Sequence, residues 1–226
     1  RFASALRPEE ALGNFDAFLK GLPAGVQLFS LFEANPQLTD LLVDICTTSP
    51  ALSRYLARHP SVLDAVLVGD FFGPWPGLEA LRNDLSARLH KQDFETALDI
   101  ARRWQKDWHF RIGVHFLRDL LQPSAAAAQY SDLAEAVVAA LWPVAQAEVA
   151  RRPGPPPGRG AIILAMGSLG AGALNAQSDL DLIVIYDAAG QEQSGGIKPR
   201  ASRAWYARAT KVLVTALSAP TGEGLI

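Results

Sequence analysis

The sequence contains only one cysteine, Cys46, and no large excess of either charge. A single cysteine excludes an intramolecular disulfide, a cysteine-based zinc site and a CxxC redox pair, so a reducing, cytoplasmic location is expected. The 21 Lys and Arg residues nearly balance the 23 Asp and Glu residues, which argues against a nucleic-acid partner and a polybasic membrane-binding surface. The longest uncharged stretch, residues 160–178, holds too many glycines and polar side chains to cross a bilayer, so no membrane partner is expected.

Apolar residues, by contrast, are abundant: they make up 49% of the 226 residues, enough for one large domain or two small ones. From residue 9 to about residue 149 they recur at spacings of three and four, which predicts amphipathic helices. Ser49 followed by Pro50 predicts an N-cap and a first helical position. The predicted helices cover residues 9–20, 24–34, 37–47, 50–58, 61–68, 78–89, 94–121, 131–151 with a kink at Pro143, and 202–217.

A Pro- and Gly-rich run at residues 151–160 divides the chain by composition. Runs of this kind are stiff, extended spacers, so a domain boundary is expected there. Residues 161–166 and 179–187 follow as strand-length runs rich in aliphatic side chains. The sequence therefore predicts an α+β protein, with a mainly helical domain over residues 1–150, a linker over 151–160 and a sheet-containing domain over 161–226.

The residues that could bind a metal ion or a phosphate lie between the two predicted strands and at the start of the second one. Gly167 and Ser168 form a turn into a short helix, and a second strand is expected to open at Asp179. Because alternate strand residues share a face, Asp179 and Asp181 should project together, and two carboxylates with substrate phosphates suit Mg²⁺. Gly167 lets backbone amides approach a phosphate, a helix start favours an anion, and Ser168 can donate to the same group. The candidate metal and catalytic residues are Asp179 and Asp181, and the candidate nucleotide-binding residues are Gly167, Ser168 and Ser178.

The spacing of these residues resembles a known signature. Gly-Ser, ten intervening residues and Asp-Leu-Asp-Leu flanked by strands resemble the nucleotidyltransferase superfamily of DNA polymerase β. The chain also resembles the C-terminal, adenylylating half of the glutamine synthetase adenylyltransferases in its predicted catalytic region and in its helical part, at residues 178–187, 195–208, 216–226, 22–45 and 49–67. The resemblance covers nearly the whole chain and implies a helical domain followed by a nucleotidyltransferase domain with a small mixed sheet.

This family resemblance implies a function and partners. It implies a magnesium-dependent transfer of AMP from ATP to a tyrosine of glutamine synthetase, which regulates nitrogen assimilation. Asp179 and Asp181 match the metal-binding aspartates of the family, and Gly167 and Ser168 match its phosphate turn. Glutamine synthetase and a PII signalling protein are the implied partners.

The turn departs from the family pattern. The family usually has Lys or Arg after the first glycine, and later an Arg and a Glu, whereas this chain has Ser168, Gly172 and Ala173. Loss of the basic residue and the acid should weaken binding of a triphosphate. This departure favours an alternative function, a catalytically degenerate module that binds glutamine synthetase or a PII protein. A third alternative is a nucleotidyltransferase acting on a small molecule or RNA, and the near-neutral charge disfavours RNA.

The metal site that the resemblance implies also lacks its third carboxylate in this sequence. In the family a third acid lies on a strand after the GEGLI-like segment, and this chain ends at Ile226. None of Asp187, Glu192 and Glu223 lies on an apparent strand at a position where it could replace this acid. The chain, which begins with Arg1 rather than Met, is therefore expected to be a fragment with an incomplete nucleotidyltransferase domain, weak nucleotide binding and little turnover.

Other polar and aromatic residues are interpreted without a functional role. The four histidines lack metal-ligand spacing and are expected to be surface or packing residues. Cys46 is expected to be a small buried hydrophobic residue. Arg102 is interpreted as part of a solvated helix face or a partner surface, whereas Trp104, Trp108 and Phe116 are expected in the core.

Overall fold

The computed structural model describes residues 2, 5, 7–21, 30, 32–34, 36–59, 62, 66 and 70–218. Within these residues the protein is mainly helical and contains one sheet of two antiparallel strands. The prediction of an α+β fold with a small sheet is confirmed. Because the pair is antiparallel, the expectation of a mixed sheet is not met within the described part of the chain.

Three helices form the described amino-terminal part: α1 (Pro8–Gly21), α2 (Pro36–Thr48) and α3 (Pro50–Arg58). Each begins with a proline, whose missing N–H costs nothing in a first helical turn. Ser49 caps α3, because its side chain accepts a hydrogen bond from Leu52 N at 3.3 Å. These bounds confirm the helices predicted over residues 9–20, 37–47 and 50–58. The helices predicted over residues 24–34 and 61–68 lie largely outside the described residues.

A 3₁₀ turn (Asp70–Phe72) leads to three more helices: α4 (Leu78–Leu89), α5 (Phe94–Leu117) and α6 (Pro123–Ala150). Helix α6 begins eight residues before the predicted start at Ser131. Proline at its first position and four consecutive alanines explain the earlier start, since alanine has the highest helix propensity. The helix continues through Pro143.

Helix α6 is also the one helix in the described part of the chain that is long and apolar enough to cross a membrane. In its apolar window 44% of the residues are buried inside the protein. A core helix has the same length and composition, so this property alone does not favour a membrane span.

The carboxy-terminal part contains strand β1 (Gly160–Ala165), the single-turn helix α7 (Gly167–Gly170), strand β2 (Leu182–Asp187) and helix α8 (Ser202–Ser218). The strands pair from Gly160↔Asp187 to Ala165↔Leu182. On one face of the sheet Tyr186 stacks on Tyr206 of α8, with ring centroids 4.4 Å apart. The opposite face exposes the cross-strand pairs Ile162↔Ile185 and Leu164↔Ile183.

The contacts between residues divide the chain into two compact units. One unit takes in the described residues up to Pro74 together with Phe110–Gln122, and its core includes Phe18, Ile45 and Phe110. The other takes in Trp75–His109 and the described residues from Pro123 onward. A core cluster of the second unit joins α6 to α8 through Val149, Trp205, Tyr206 and Ala209.

The Pro- and Gly-rich segment 151–160 belongs to this second unit and is folded against α8. Trp205 Nε1 donates to Gly154 O at 3.0 Å, and Tyr206 Oη donates to Pro157 O at 2.7 Å. The extended spacer expected from composition is therefore a series of turns held by aromatic donors. The division into domains over 1–150 and 161–226 stays a prediction.

Candidate active site

Strand β1 ends at Ala165, and Met166 leads directly into the single turn of α7. Gly170 N donates to Met166 O at 2.9 Å, and Ala173 N donates to Ser168 O at 2.8 Å. The predicted turn into a short helix is confirmed. With only four residues, α7 supplies a small part of the dipole that a longer helix would offer an anion.

Gly167 adopts a left-handed backbone conformation, with φ of +54°, which side chains other than glycine rarely occupy. A Cβ at this position would meet Asp181 Oδ2 at 2.6 Å. The backbones are joined as well, because Met166 N donates to Asp181 O at 2.8 Å. The phosphate-turn candidate and one metal-ligand candidate are thus in direct contact.

Asp179 and Asp181 precede the second strand instead of opening it. Strand β2 begins at Leu182, three residues after the predicted start. Burial nevertheless alternates as expected: both aspartates are exposed, while Leu180 and Leu182 are partly buried. Two exposed carboxylates separated by a single packed residue can present oxygen ligands to a cation in solvent.

Ser178 lies in a tight turn that leads to the aspartates. Asn175 Oδ1 accepts from Gln177 N at 2.8 Å, and Ser178 Oγ accepts from Asn175 N at 3.0 Å. Ser178 N in turn donates to Asn175 O at 3.2 Å. The Ser178 hydroxyl therefore supports its own turn, and its hydrogen can still donate to a ligand. Its nucleotide-binding role stays a prediction.

The segment before the aspartates rests on side chains from α5 and α6. Ser131 Oγ accepts from Leu174 N at 3.2 Å, and the His109 ring hydrogen-bonds the Ala176 backbone. A cavity of about 240 Å³ lies here, lined in part by His109, Tyr130 and Leu180. Nothing in the local sequence around His109 indicated this position, because the contact joins residues far apart in the chain.

Burial perturbs both rings that line this cavity. Desolvation lowers the pKa of His109 and outweighs the opposing effect of its hydrogen bond to Ala176, and nearby Lys106 lowers it further. Desolvation also raises the pKa of Tyr130 to about 12. Both side chains are therefore neutral at physiological pH, with ring centroids 4.9 Å apart.

Asp187 is the last residue of β2, at the end of the strand run predicted over residues 179–187. It lies six residues from Asp181, roughly 20 Å along an extended strand. Its carboxylate pairs with Arg159 Nε at 3.3 Å and accepts from Ala189 N at 2.8 Å. It therefore cannot join the Asp179/Asp181 pair, and the described residues contain no group of three or more His, Cys, Asp or Glu that could hold a metal ion.

Comparison with known proteins identifies relatives along the whole chain. A model of the glutamate-ammonia ligase adenylyltransferase family matches residues 39–226. The chain is 42% identical to the bifunctional glutamine synthetase adenylyltransferase/adenylyl-removing enzyme of Brucella suis and 40% identical to that of Mesorhizobium japonicum, over 100% of this chain and 23% of each relative. A protein of the same name from Caulobacter vibrioides is 37% identical over 97% of this chain and 22% of its own length. The chain thus spans less than a quarter of the length of these relatives.

Proposed function

Because the chain belongs to the glutamate-ammonia ligase adenylyltransferase family, we propose that it forms the nucleotide-transfer region of a glutamine synthetase adenylyltransferase. The reaction moves AMP from ATP to a tyrosine hydroxyl of glutamine synthetase and releases pyrophosphate. Glutamine synthetase is the protein that the relatives' names specify as the target of adenylylation. The observation that carries this proposal is the contact between the Asp181 carboxylate and the Gly167 turn, with Asp179 exposed two residues earlier.

The residues at this contact fit a magnesium ion. The space that a Gly167 side chain would fill is taken by Asp181 Oδ2, so a hard anionic oxygen lies beside a turn of backbone amides. Mg²⁺ is commonly bound through one or two carboxylates together with substrate phosphates and water. Asp179 and Asp181 would hold the ion, which when bound supplies charge neutralisation for the triphosphate and for the leaving pyrophosphate.

The chain's own residues would bind and orient the triphosphate. Gly167 removes the side chain that would separate a phosphate from the backbone, and the first amides of α7 have no partner within the helix. The Ser168 hydroxyl is exposed and can donate to a phosphate oxygen. Exposure of both aspartates leaves room for an acceptor side chain from another protein.

Calorimetric titration of ATP and Mg²⁺ into the 226-residue chain tests this proposal. We expect weak binding that depends on Mg²⁺ and that Asp181→Asn abolishes. Asp187→Asn is the matched control, because it neutralises an exposed carboxylate at the far end of β2 and breaks an exposed ion pair of small energetic value, while the amide oxygen can still accept from Ala189 N. Binding that is unaffected by Asp181→Asn, or absent from the wild-type chain, would contradict the proposal.

A second candidate function is a module that binds glutamine synthetase or a PII protein without catalysis. Ser168, Gly172 and Ala173 favour it, because this part of the turn offers neither a base nor an acid to a triphosphate. Surface plasmon resonance against immobilised glutamine synthetase separates the two functions. Tight binding by a chain that shows no Mg²⁺-dependent ATP binding would favour the module, and binding that requires ATP would favour the enzyme.

A further inference from the structure

The residues before the aspartate pair form a loop, residues 174–181, that is fixed at both ends. At its start, Leu174 N donates to Ser131 Oγ on α6, and the Ala176 backbone is hydrogen-bonded by the His109 ring on α5. At its end, Asp181 O accepts from Met166 N, which extends the pairing of the two strands. Asp179 therefore lies in a stretch of chain that is attached to α5 and α6 on its amino-terminal side and to the residue directly after β1 on its carboxy-terminal side.

The helix contacts are built to hold the loop in one position. Leu174 is 3% exposed and Ser131 is 7% exposed, so the hydrogen bond between them is shielded from water. Ser131 Oγ also donates to Ala127 O at 2.9 Å, which fixes the orientation of the hydroxyl group. Loss of this buried acceptor would leave the Leu174 N–H unsatisfied and would destabilise the loop in this position.

The side chain between the two aspartates packs over the same helices. Leu180 lines the cavity that His109 and Tyr130 also line. Because adjacent side chains in extended backbone point in opposite directions, packing of Leu180 inward turns its two neighbours outward. The exposure of Asp179 and Asp181 agrees with this arrangement. The direction of the carboxylates is thus tied to the packing beneath the loop.

We propose that His109 and Ser131 are positioning residues for the Asp179/Asp181 pair. This role rests on the proposed metal-binding function of the aspartates. His109 fixes the loop through the Ala176 backbone, and Ser131 fixes it through Leu174 N. The helical part of the second unit thereby contributes to the site without contacting the nucleotide.

Binding of Mn²⁺ in the presence of ATP tests the proposal, because Mn²⁺ accepts the same oxygen ligands as Mg²⁺ and is observed directly by electron paramagnetic resonance. We expect His109→Leu to weaken Mn²⁺ binding about tenfold, as removal of residues that orient metal ligands typically does. His109→Gln should recover most of this loss, since its amide can donate to the Ala176 carbonyl. His90→Leu, which changes an exposed histidine, should bind Mn²⁺ as the wild-type chain does.

Ser131→Ala provides a second variant that keeps the shape of the helix. It should also weaken Mn²⁺ binding and speed amide hydrogen exchange in residues 174–181, with circular dichroism confirming unchanged helix content. Unchanged Mn²⁺ binding in both His109→Leu and Ser131→Ala would overturn the positioning role, as would failure of His109→Gln to recover binding. If Asp181→Asn binds Mn²⁺ as well as the wild-type chain, or the wild-type chain binds none, the proposed function fails instead.

Discussion

The carboxylate of Asp181 occupies the space beside Gly167 that a side chain would need, with Oδ2 2.6 Å from the position of an added Cβ. The backbone also favours glycine at this position, because the φ of +54° lies in the left-handed region that other residues rarely adopt. A turn residue and a candidate metal ligand thus depend on each other. Any side chain at Gly167 must move the carboxylate, the backbone or both.

Gly167→Ala should reduce Mg²⁺-dependent ATP binding about tenfold or more by displacing the Asp181 carboxylate, which calorimetry would measure. Gly172→Ala is the matched control: Gly172 also has a positive φ, +64°, but an added Cβ there has nothing within 4 Å. Both variants pay the backbone cost of about 1–2 kcal/mol for a left-handed residue. Equal loss of ATP binding in the two variants would show that backbone strain, not contact with Asp181, is responsible.

Tyr206→Phe should destabilise the second unit, because it removes the hydrogen bond from the buried hydroxyl to Pro157 O at 2.7 Å. An acceptor left without a donor costs about 1–3 kcal/mol. Tyr186→Phe is the control, since its ring keeps the stacking contact with Tyr206 while its own hydroxyl group belongs to an exposed residue. Thermal unfolding should show a lower midpoint for Tyr206→Phe alone, and equal midpoints would contradict the assigned hydrogen bond.

Cys46 should make the stability of the chain depend on alkaline pH. The residue is 2% exposed, and desolvation raises the pKa of its thiol from 9.0 to about 11, although a hydrogen bond with Ser53 opposes the shift. Because the folded state keeps the proton longer, the thiol's contribution is fully present below pH 9 and is lost as pH rises toward 11. Two pKa units correspond to about 3 kcal/mol as an upper value.

Urea unfolding at several pH values checks this dependence. The wild-type chain should lose more free energy of unfolding between about pH 8 and about pH 11 than Cys46→Ala, which has no thiol to titrate. The two tyrosines with raised pKa values remain in both proteins, so their contribution cancels in the comparison. Parallel pH profiles would mean that the thiol of Cys46 is not shielded from solvent.

The parts of the fold that were predictable from the sequence depend on local signals. Prolines and apolar spacing predicted α1, α2 and α3, because a first helical turn and one apolar face are encoded within a few residues. The predicted start of α6 is too late, because the alanines of its first turns favour a helix without showing the apolar spacing of three and four residues. Strand β2 was expected three residues too early, since Asp-Leu-Asp-Leu alternates like a strand while the pairing ends at Ala165↔Leu182.

The parts that were not predictable depend on contacts between distant residues. Arg102 was interpreted as part of a solvated helix face or a partner surface, yet it is fully buried and its Nη2 donates to Ala216 O at 2.9 Å. Phe116 was expected in the core and is 48% exposed. His109 received no role, although its ring reaches the backbone of Ala176. The same holds for the candidate site. The spacing of the motif predicts Gly167, Ser168, Ser178, Asp179 and Asp181. The residues that hydrogen-bond the loop before the aspartates, His109 and Ser131, have no pattern in the neighbouring sequence that indicates this contact.

Gly21 and Gly13 offer a final test, on the packing of α1 against α3 in the first unit. A Cβ at Gly21 would collide with the backbone oxygen of Ala57, whereas a Cβ at Gly13 has nothing within 4 Å. Gly21→Ala should therefore destabilise the chain by about 1–3 kcal/mol, because the backbone of α3 cannot move aside as a side chain would. Gly13→Ala should stabilise it by about 0.5–1 kcal/mol, since alanine replaces glycine at an exposed position inside a helix. Chemical denaturation of the two variants should give shifts of opposite sign, and a stabilised Gly21→Ala would mean that the two helices do not approach at this point.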